Sequence, residues 1–151
     1  MKVLVNLSGE NSRWLRPSRM LGLAIKPILE ALVMADQLYL RTHHVPPIYE
    51  SGVRYKEEPM NRAVLGALGG AASSTYRIEE FAAVPAIIER GWGDCDDVSP
   101  WRCAELRENG EHAKIRVQWK KNAESGQKLF HIVVRRADGR IEDPSLLLGM
   151  R

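Results

Sequence analysis

The chain is poor in cysteine, with only two among 151 residues. Such a low count excludes the disulfide framework that holds many small secreted domains together. If Cys95 and Cys103 share a helix, eight residues of rise separate them by ~12 Å. A disulfide requires Cα atoms within about 7 Å of each other, so we expect two thiols and no cross-link.

The chain also lacks a long hydrophobic run. No apolar stretch approaches the ~20 residues that a membrane-spanning helix needs. The apolar start from Met1 to Leu7 ends too soon for a secretory leader. We therefore expect a protein with no membrane partner that stays in the cytoplasm of the cell that makes it.

Signals for phosphate and nucleic-acid binding are equally weak. The glycines of residues 66–70 lack the following lysine and the preceding strand of a phosphate loop. The net charge is only +3, and the basic pairs Lys120–Lys121 and Arg135–Arg136 lack the interleaved aromatic side chains that stack on bases. We expect neither a cofactor nor a nucleic-acid partner.

What the chain does have is the composition of a globular protein, 44% hydrophobic and 27% charged. At this length such a composition supports one core. We expect a single domain over 1–151, with an N-terminal strand and helix region at 1–46 and a core that carries the chemistry at 47–151.

Two segments have apolar residues at helical spacing. Leu21 to Thr42 predicts a long helix, with Pro27 marking its start or a kink. Ile78 to Arg90 predicts a second helix, broken locally at Pro85 and stopped at Gly91.

The segment that carries Cys95 allows two helices. Asp94 and Asp97 have the spacing of a capping box, which favours a helix that begins at Cys95 and is kinked at Pro100. Ser99 and Pro100 also make a good cap and first residue, which favours a turn at Asp94 followed by a later helix. Apolar residues on several sides indicate that the helix is central and buried.

The C-terminal third predicts β-structure. Ala113–Lys120 alternates between apolar and polar residues, Leu129–Val134 is heavily apolar, and Arg140–Asp143 is a short third strand. The predicted fold class is therefore α+β, with N-terminal helices and a central cysteine-bearing helix packed on a small antiparallel sheet.

The turn between the last two strands decides which side chains share a face. A two-residue turn at Asp138 and Gly139 puts Asp143 on the face away from His131. A five-residue loop that starts at Arg135 places His131 directly opposite Asp143, about 5 Å apart at Cβ. The longer loop also matches apolar residues across the two strands, so we predict that register.

Cys95, His131 and Asp143 then form the set that a cysteine acyl-transfer site requires. Asp143 can accept a hydrogen bond from one imidazole nitrogen and leave the other for the thiol. A helix N-terminus favours a thiolate and supplies a backbone amide to an oxyanion. The negative charges of the neighbouring aspartates disfavour the thiolate and raise the thiol pKa, unless these carboxylates are paired or point away.

These residues resemble a known family. Gly93–Asp97 (Gly-Asp-Cys-Asp-Asp) at a helix start, a later strand with His131, and Glu142–Ser145 (Glu-Asp-Pro-Ser) are similar to the transglutaminase-like cysteine protein superfamily, a branch of the papain-like fold. Ile48–Tyr55 and Trp101–Arg107 resemble a small branch found among bacteriophages and prophages.

The resemblance covers about Pro47 to Met150. It implies that Cys95 is a nucleophile, His131 a general base and Asp143 an orienting acid. It further implies a protein or peptide substrate and a bacterial host cell or virion as the setting. An indole often contributes to the oxyanion site of this superfamily, and Trp92 is the nearest candidate.

Simpler interpretations stand beside these predictions. The same scaffold could serve as a catalytically silent binding or assembly module. Asp94, Asp96 and Asp97 together could attract a hard cation, but as helix caps they need none, so we expect no metal. Cys103 is expected to be an inert buried thiol, and the segment 61–75 is a candidate lid.

Overall fold

The computed structural model describes residues 2–6, 19–57, 78–121 and 128–151. Over these residues the chain is a mixed α+β protein in which helices pack on small sheets, in agreement with the predicted class. The candidate lid at 61–75 lies outside the described residues.

Strands and helices are interspersed along the described residues. None of the helices in the described ranges combines the length and the apolar character that a bilayer crossing demands. The elements are β1 (Lys2–Asn6), α1 (Arg19–Thr42), a short 3-10 helix (Ile48–Glu50), β2 (Arg54–Tyr55), β3 (Ile78–Ala82), α2 (Val84–Arg90), β4 (Trp92–Gly93), α3 (Cys95–Glu108), β5 (Lys114–Lys121), β6 (Lys128–Arg135), β7 (Ile141–Glu142) and α4 (Pro144–Leu147).

Three sheets are present within the described ranges. Strands β5, β6 and β7 form an antiparallel sheet in that order, and β1 pairs with β3 in the antiparallel sense. Strands β2 and β4 pair in parallel, which places Tyr55 beside Gly93 at the start of the cysteine segment.

Helix α3 is the centre of the core, as its apolar residues predict. Val98 and Trp101 pack in one cluster with the 3-10 helix and the start of α2. Cys103, Ala104 and Leu106 pack in a second cluster with α1 and the β5–β6 hairpin. Because α3 contributes to both clusters, it fixes where the two halves of the core lie.

The predicted helix from Ile78 to Arg90 is wrong in its first half. Ile78–Ala82 forms β3, and its antiparallel pairing with β1 overrides the local helical spacing. Helix α2 begins after β3, with Pro85 in its first turn. The N–H that proline lacks would have no partner within the helix at this position, so no hydrogen bond is lost. Gly91 ends the helix in the left-handed conformation at φ 75°, as predicted.

Among the described residues, two prolines lie in helix interiors, beyond the first turn. Helix α1 begins at Arg19, well before Pro27, so this proline does not mark its start. Helix α3 is continuous from Cys95 through the buried Pro100, which confirms the predicted helix that begins at Cys95; the predicted kink at Pro100 stays a prediction. Burial of most of the helix offsets the one amide donor that Pro100 removes.

A buried carboxyl group joins α1 to the start of α2. Asp36 is fully buried, and its Oδ1 accepts a hydrogen bond from the Val84 amide at 2.8 Å. Its Oδ2 accepts none from any described residue. Burial raises the pKa of Asp36 from 3.8 to about 7, although the Val84 amide acts in the opposite direction.

Replacing Asp36 by asparagine is expected to change how stability depends on pH. Between about pH 4 and pH 7 the native state keeps a proton on Asp36 that the unfolded state has released. The free energy of unfolding therefore falls as the pH rises through this window, by an amount on the order of 4 kcal/mol. Asp36→Asn still offers an oxygen to Val84 and should remove that part of the fall.

Urea unfolding of both proteins at pH 5 and pH 8 measures the effect. Asp138→Asn is the matched control, because Asp138 is exposed and Arg140 holds its pKa below the ordinary value, so it is ionised throughout. Equal pH dependence in wild type and Asp36→Asn would contradict the assignment.

Candidate active site

Gly93 allows the backbone just before Cys95 to pass close to the side chains of the first turn of α3. The Lys56 amide donates to the Gly93 carbonyl oxygen at 3.0 Å, which extends the β2–β4 pairing. A Cβ at position 93 would lie 3.0 Å from Val98 Cγ1 and 3.1 Å from Asp97 Cβ. A side chain here would push these neighbours apart, so glycine is favoured by the close approach of the backbone.

Cys95 is the first residue of α3 and is half-buried. Asp94 is the N-cap, and it forms a capping box with Asp97, whose carboxylate accepts a hydrogen bond from the Asp94 amide at 3.3 Å. The thiol thus lies at the positive end of the helix dipole, among backbone amides that have no partner within the helix.

Helix α3 is tied to the strand that carries His131. The Ser99 hydroxyl donates to the carbonyl oxygen of Ile132 at 2.8 Å. Cys95 precedes Ser99 by four residues, so the two lie on one face of the helix. That face is turned toward β6 at the residue next to His131, and Cys95 packs against the core cluster that includes Ile132.

His131 and Asp143 are in direct contact. The Nε2 atom of His131 lies 2.8 Å from Oδ2 of Asp143, and the imidazole is almost completely buried. An ionised carboxylate can only accept, so this contact favours the tautomer with hydrogen on Nε2 and leaves Nδ1 as the other ring nitrogen. Asp143 also caps α4, since its Oδ1 accepts from the Leu146 amide at 3.3 Å.

The predicted pairing of the last two strands is wrong, although the two side chains do meet. Arg135 lies opposite Ile141, and Gly139 turns the chain at φ 88°, so the loop is shorter than the predicted five residues. This register differs from the predicted one by two residues. Asp143 therefore stays on the same face as His131 but lies diagonal to it.

Glu142 fixes the strand that leads into Asp143. Its Oε1 accepts hydrogen bonds from the Tyr49 hydroxyl and from Arg102 Nε, both at 2.6 Å. Its Oε2 forms an ion pair with Arg136. Burial alone would raise the pKa of Glu142, yet these three donors together hold it below its ordinary value.

The Asp97 carboxylate joins three elements at the base of the site. Its Oδ1 accepts from the Ala82 amide at the end of β3, at 2.7 Å. Its Oδ2 accepts from the Asp94 amide and pairs with Arg90 of α2. The prediction that Asp94 and Asp97 serve as helix-cap residues is thereby confirmed.

Asp94, Asp96 and Asp97 are the group in the described residues whose geometry approaches that of a metal site, with one oxygen of each within 4.8 Å of the others. A hard cation needs several unoccupied oxygens. Both Asp97 oxygens are already occupied, and the partner of one of them is the cation Arg90. The cluster therefore fits a cation poorly.

The other predicted residues lie as follows. Cys103 is buried, and desolvation raises its pKa to about 11, which fits the expected inert thiol. The indole of Trp92 packs against two cations, with Arg90 Cζ at 4.1 Å and Lys56 Nζ at 5.2 Å from the ring centroid. Its part in an oxyanion site stays a prediction.

Sequence reasoning did not foresee the contacts that three residues make around the site. Ser99 could have been found from its spacing of four residues after Cys95. Glu142 and Tyr55 had no local signal, because their partners come from distant segments. Burial raises the pKa of Tyr55, and the Cys95 and Glu57 charges act in the same direction, so the phenol lies within the electrostatic field of the thiol.

Comparison of the chain with protein-family models, with curated proteins and with solved structures finds no match.

Removing the Glu142 carboxylate is expected to loosen the Asp143 segment. Glu142→Ala leaves Arg102, Arg136 and Tyr49 without their shared acceptor, which should lower the free energy of unfolding by about 1–3 kcal/mol. Urea unfolding measures the loss. Asp138→Ala in the same hairpin is the matched control, because its ion pair with Arg140 is exposed and contributes little. Equal effects of the two changes would contradict the role of Glu142.

Proposed function

We propose that the protein is a thiol acyl-transfer enzyme, transglutaminase-like on a papain-like fold. Cys95 is the nucleophile, His131 the general base and Asp143 the residue that orients His131. The observation that carries the proposal is the 2.8 Å contact between His131 Nε2 and Asp143 Oδ2, made on the strand against which the cysteine helix packs.

The chemistry follows from these positions. His131 takes the thiol proton, and the Cys95 sulfur attacks the carbonyl carbon of a carboxamide or peptide. The Cys95 backbone amide at the start of α3 is one donor for the oxyanion that forms. The carbon–nitrogen bond then breaks, and the amine leaves with the proton held by His131, so that a thioester remains on Cys95.

A second nucleophile completes the cycle. Water or an amine attacks the thioester carbon, His131 accepts its proton, and the sulfur departs. Water makes the enzyme a peptidase or an amidase, and an amine makes it a transglutaminase. The resemblance to a bacteriophage and prophage branch belongs to the same proposal, with a protein or peptide as substrate.

The state of the aspartates bears on this chemistry, because carboxylates near a thiol oppose its ionisation. Arg90 pairs with Asp97, so that charge is compensated close to the site. The positive end of α3 and a protonated His131 favour the thiolate in return.

The first test is the pH dependence of alkylation at Cys95. Peptide mass spectrometry after brief treatment with iodoacetamide should show a Cys95 thiol that titrates below its ordinary value of about 8.5. Cys103 is the internal control and should stay unmodified. His131→Gln should return the Cys95 titration to the ordinary value, whereas Asp138→Asn should leave it unchanged.

An unreactive Cys95, or one that titrates normally in the folded wild type, would contradict the enzyme. The same result would favour the binding or assembly module, for which neither the thiol nor the imidazole needs to react.

The second test traps the intermediate. Incubation with glutamine-containing peptides should add the mass of an acyl group to the intact wild-type protein, and hydroxylamine should remove it. Cys95→Ala should show no adduct. Release of ammonia indicates attack on a side-chain carboxamide, whereas a new peptide amino terminus indicates attack on the backbone. Retention of the adduct in Cys95→Ala would rule out the assigned nucleophile.

A further inference from the structure

Asp96 is a buried carboxyl group beside Cys95 that receives no hydrogen bond from any described residue. Its exposed fraction is 1%, and neither of its oxygens accepts from a donor in the described part of the chain. Oδ1 of the neighbouring Asp94 is also buried and receives none. Oxygens of the two groups lie within 4.8 Å of each other.

The positions of the donors indicate which aspartate carries a proton. Asp97 accepts hydrogen bonds from two backbone amides and from Arg90. These donors stabilise the ionised form of its carboxyl group. An ionised Asp96 would be a desolvated charge without a partner, next to a second carboxylate. A protonated carboxyl group can donate one hydrogen bond, and Asp94 Oδ1 is an acceptor that lacks one.

We infer that Asp96 is a neutral carboxylic acid that donates a hydrogen bond to the Asp94 carboxylate, and that it thereby removes one negative charge from beside Cys95. The state of the proton is argued from the burial of Asp96 and the positions of the donors, and it does not depend on the proposed function. The consequence for the thiol rests on the proposed function, in which Asp96 is a positioning residue for charge and not a catalytic residue.

Burial and the negative charges around Asp96 also favour its protonated form. Burial is the largest cause that raises its pKa, and the Asp94 carboxylate is the next. Arg90, a cation that contacts the cluster, is already paired with Asp97. Charged or titratable groups that interact with Asp96 include Asp94, Cys95 and Asp97 from its own segment and Tyr55 from β2, and Arg90 of α2 interacts with the neighbouring Asp97.

Infrared difference spectroscopy tests the proton directly. The spectrum of Asp36→Asn minus that of Asp36→Asn with Asp96→Asn, at pH 7, should contain the carbonyl stretch of one protonated carboxyl group, which shifts in D2O. The shared Asp36→Asn background removes Asp36, a second buried acid whose pKa burial raises to about 7. Asp138→Asn is the matched control and should remove a carboxylate band only. A carboxylate band at Asp96 would overturn the inference.

A second measurement needs no change at Asp96. In Asp36→Asn protein labelled with carbon-13 at the aspartate carboxyl groups, one carboxyl resonance should keep the chemical shift of the protonated form at pH 7. If every aspartate carboxyl shows the ionised shift, the inference is wrong even if Asp96→Asn fails to fold.

The consequence for the thiol is tested by the pH dependence of Cys95 alkylation. Because the exchange of a neutral acid for an amide leaves the charge unchanged, Asp96→Asn should move the midpoint of that profile by less than about 0.3 pH units. Removal of an ionised carboxylate would instead move the midpoint down by about one pH unit. If Cys95 does not react in either protein, the proposed function fails, while the infrared result still decides the state of Asp96.

A bound cation is the remaining outcome. Calorimetric titration with calcium chloride or magnesium chloride should give no heat that depends on Asp96. Heat in the wild type that is lost in Asp96→Asn would overturn the inference in favour of a metal site.

Discussion

The position of the cysteine depends on the buried carboxylate of Asp97. It accepts from the end of β3 through Ala82, accepts from the N-cap of α3 through Asp94, and pairs with Arg90 of α2. These contacts connect the end of β3, the end of α2 and the start of α3 through one side chain. Because the contacts are buried, loss of any donor leaves a polar group without a partner in the core. The placement of Cys95 at the first turn of α3 follows from this junction.

The parts of the fold that depend on neighbouring residues could be predicted from the sequence. The spacing of Asp94 and Asp97 indicated where α3 begins, and Gly91 indicated where α2 ends. Ile78–Ala82 could not be read in this way, because its strand is stabilised by pairing with Lys2–Asn6, more than seventy residues earlier. Long-range pairing of this kind overrides local spacing and leaves no signal within the segment itself.

The same distinction separates what was foreseen in the site from what was not. Side chains alternate strictly along a strand, so it could be foreseen that Asp143 shares a face with His131 in one family of registers. The actual register depends on the turn at Gly139 and on Glu142, which is held by Tyr49 and by Arg102 of α3. Those partners lie in other parts of the chain, and only the folded structure brings them to the last strand.

The double use of Asp143 has a consequence for how the imidazole can move. One carboxylate oxygen receives the Leu146 amide while the other receives His131, so rotating the carboxylate to follow the ring would uncap the final helix. The imidazole of His131 can therefore rotate only about its contact with a carboxylate that is itself held in place. The entropy of aligning the pair is lost once, when the chain folds, and does not have to be lost again at each molecular encounter.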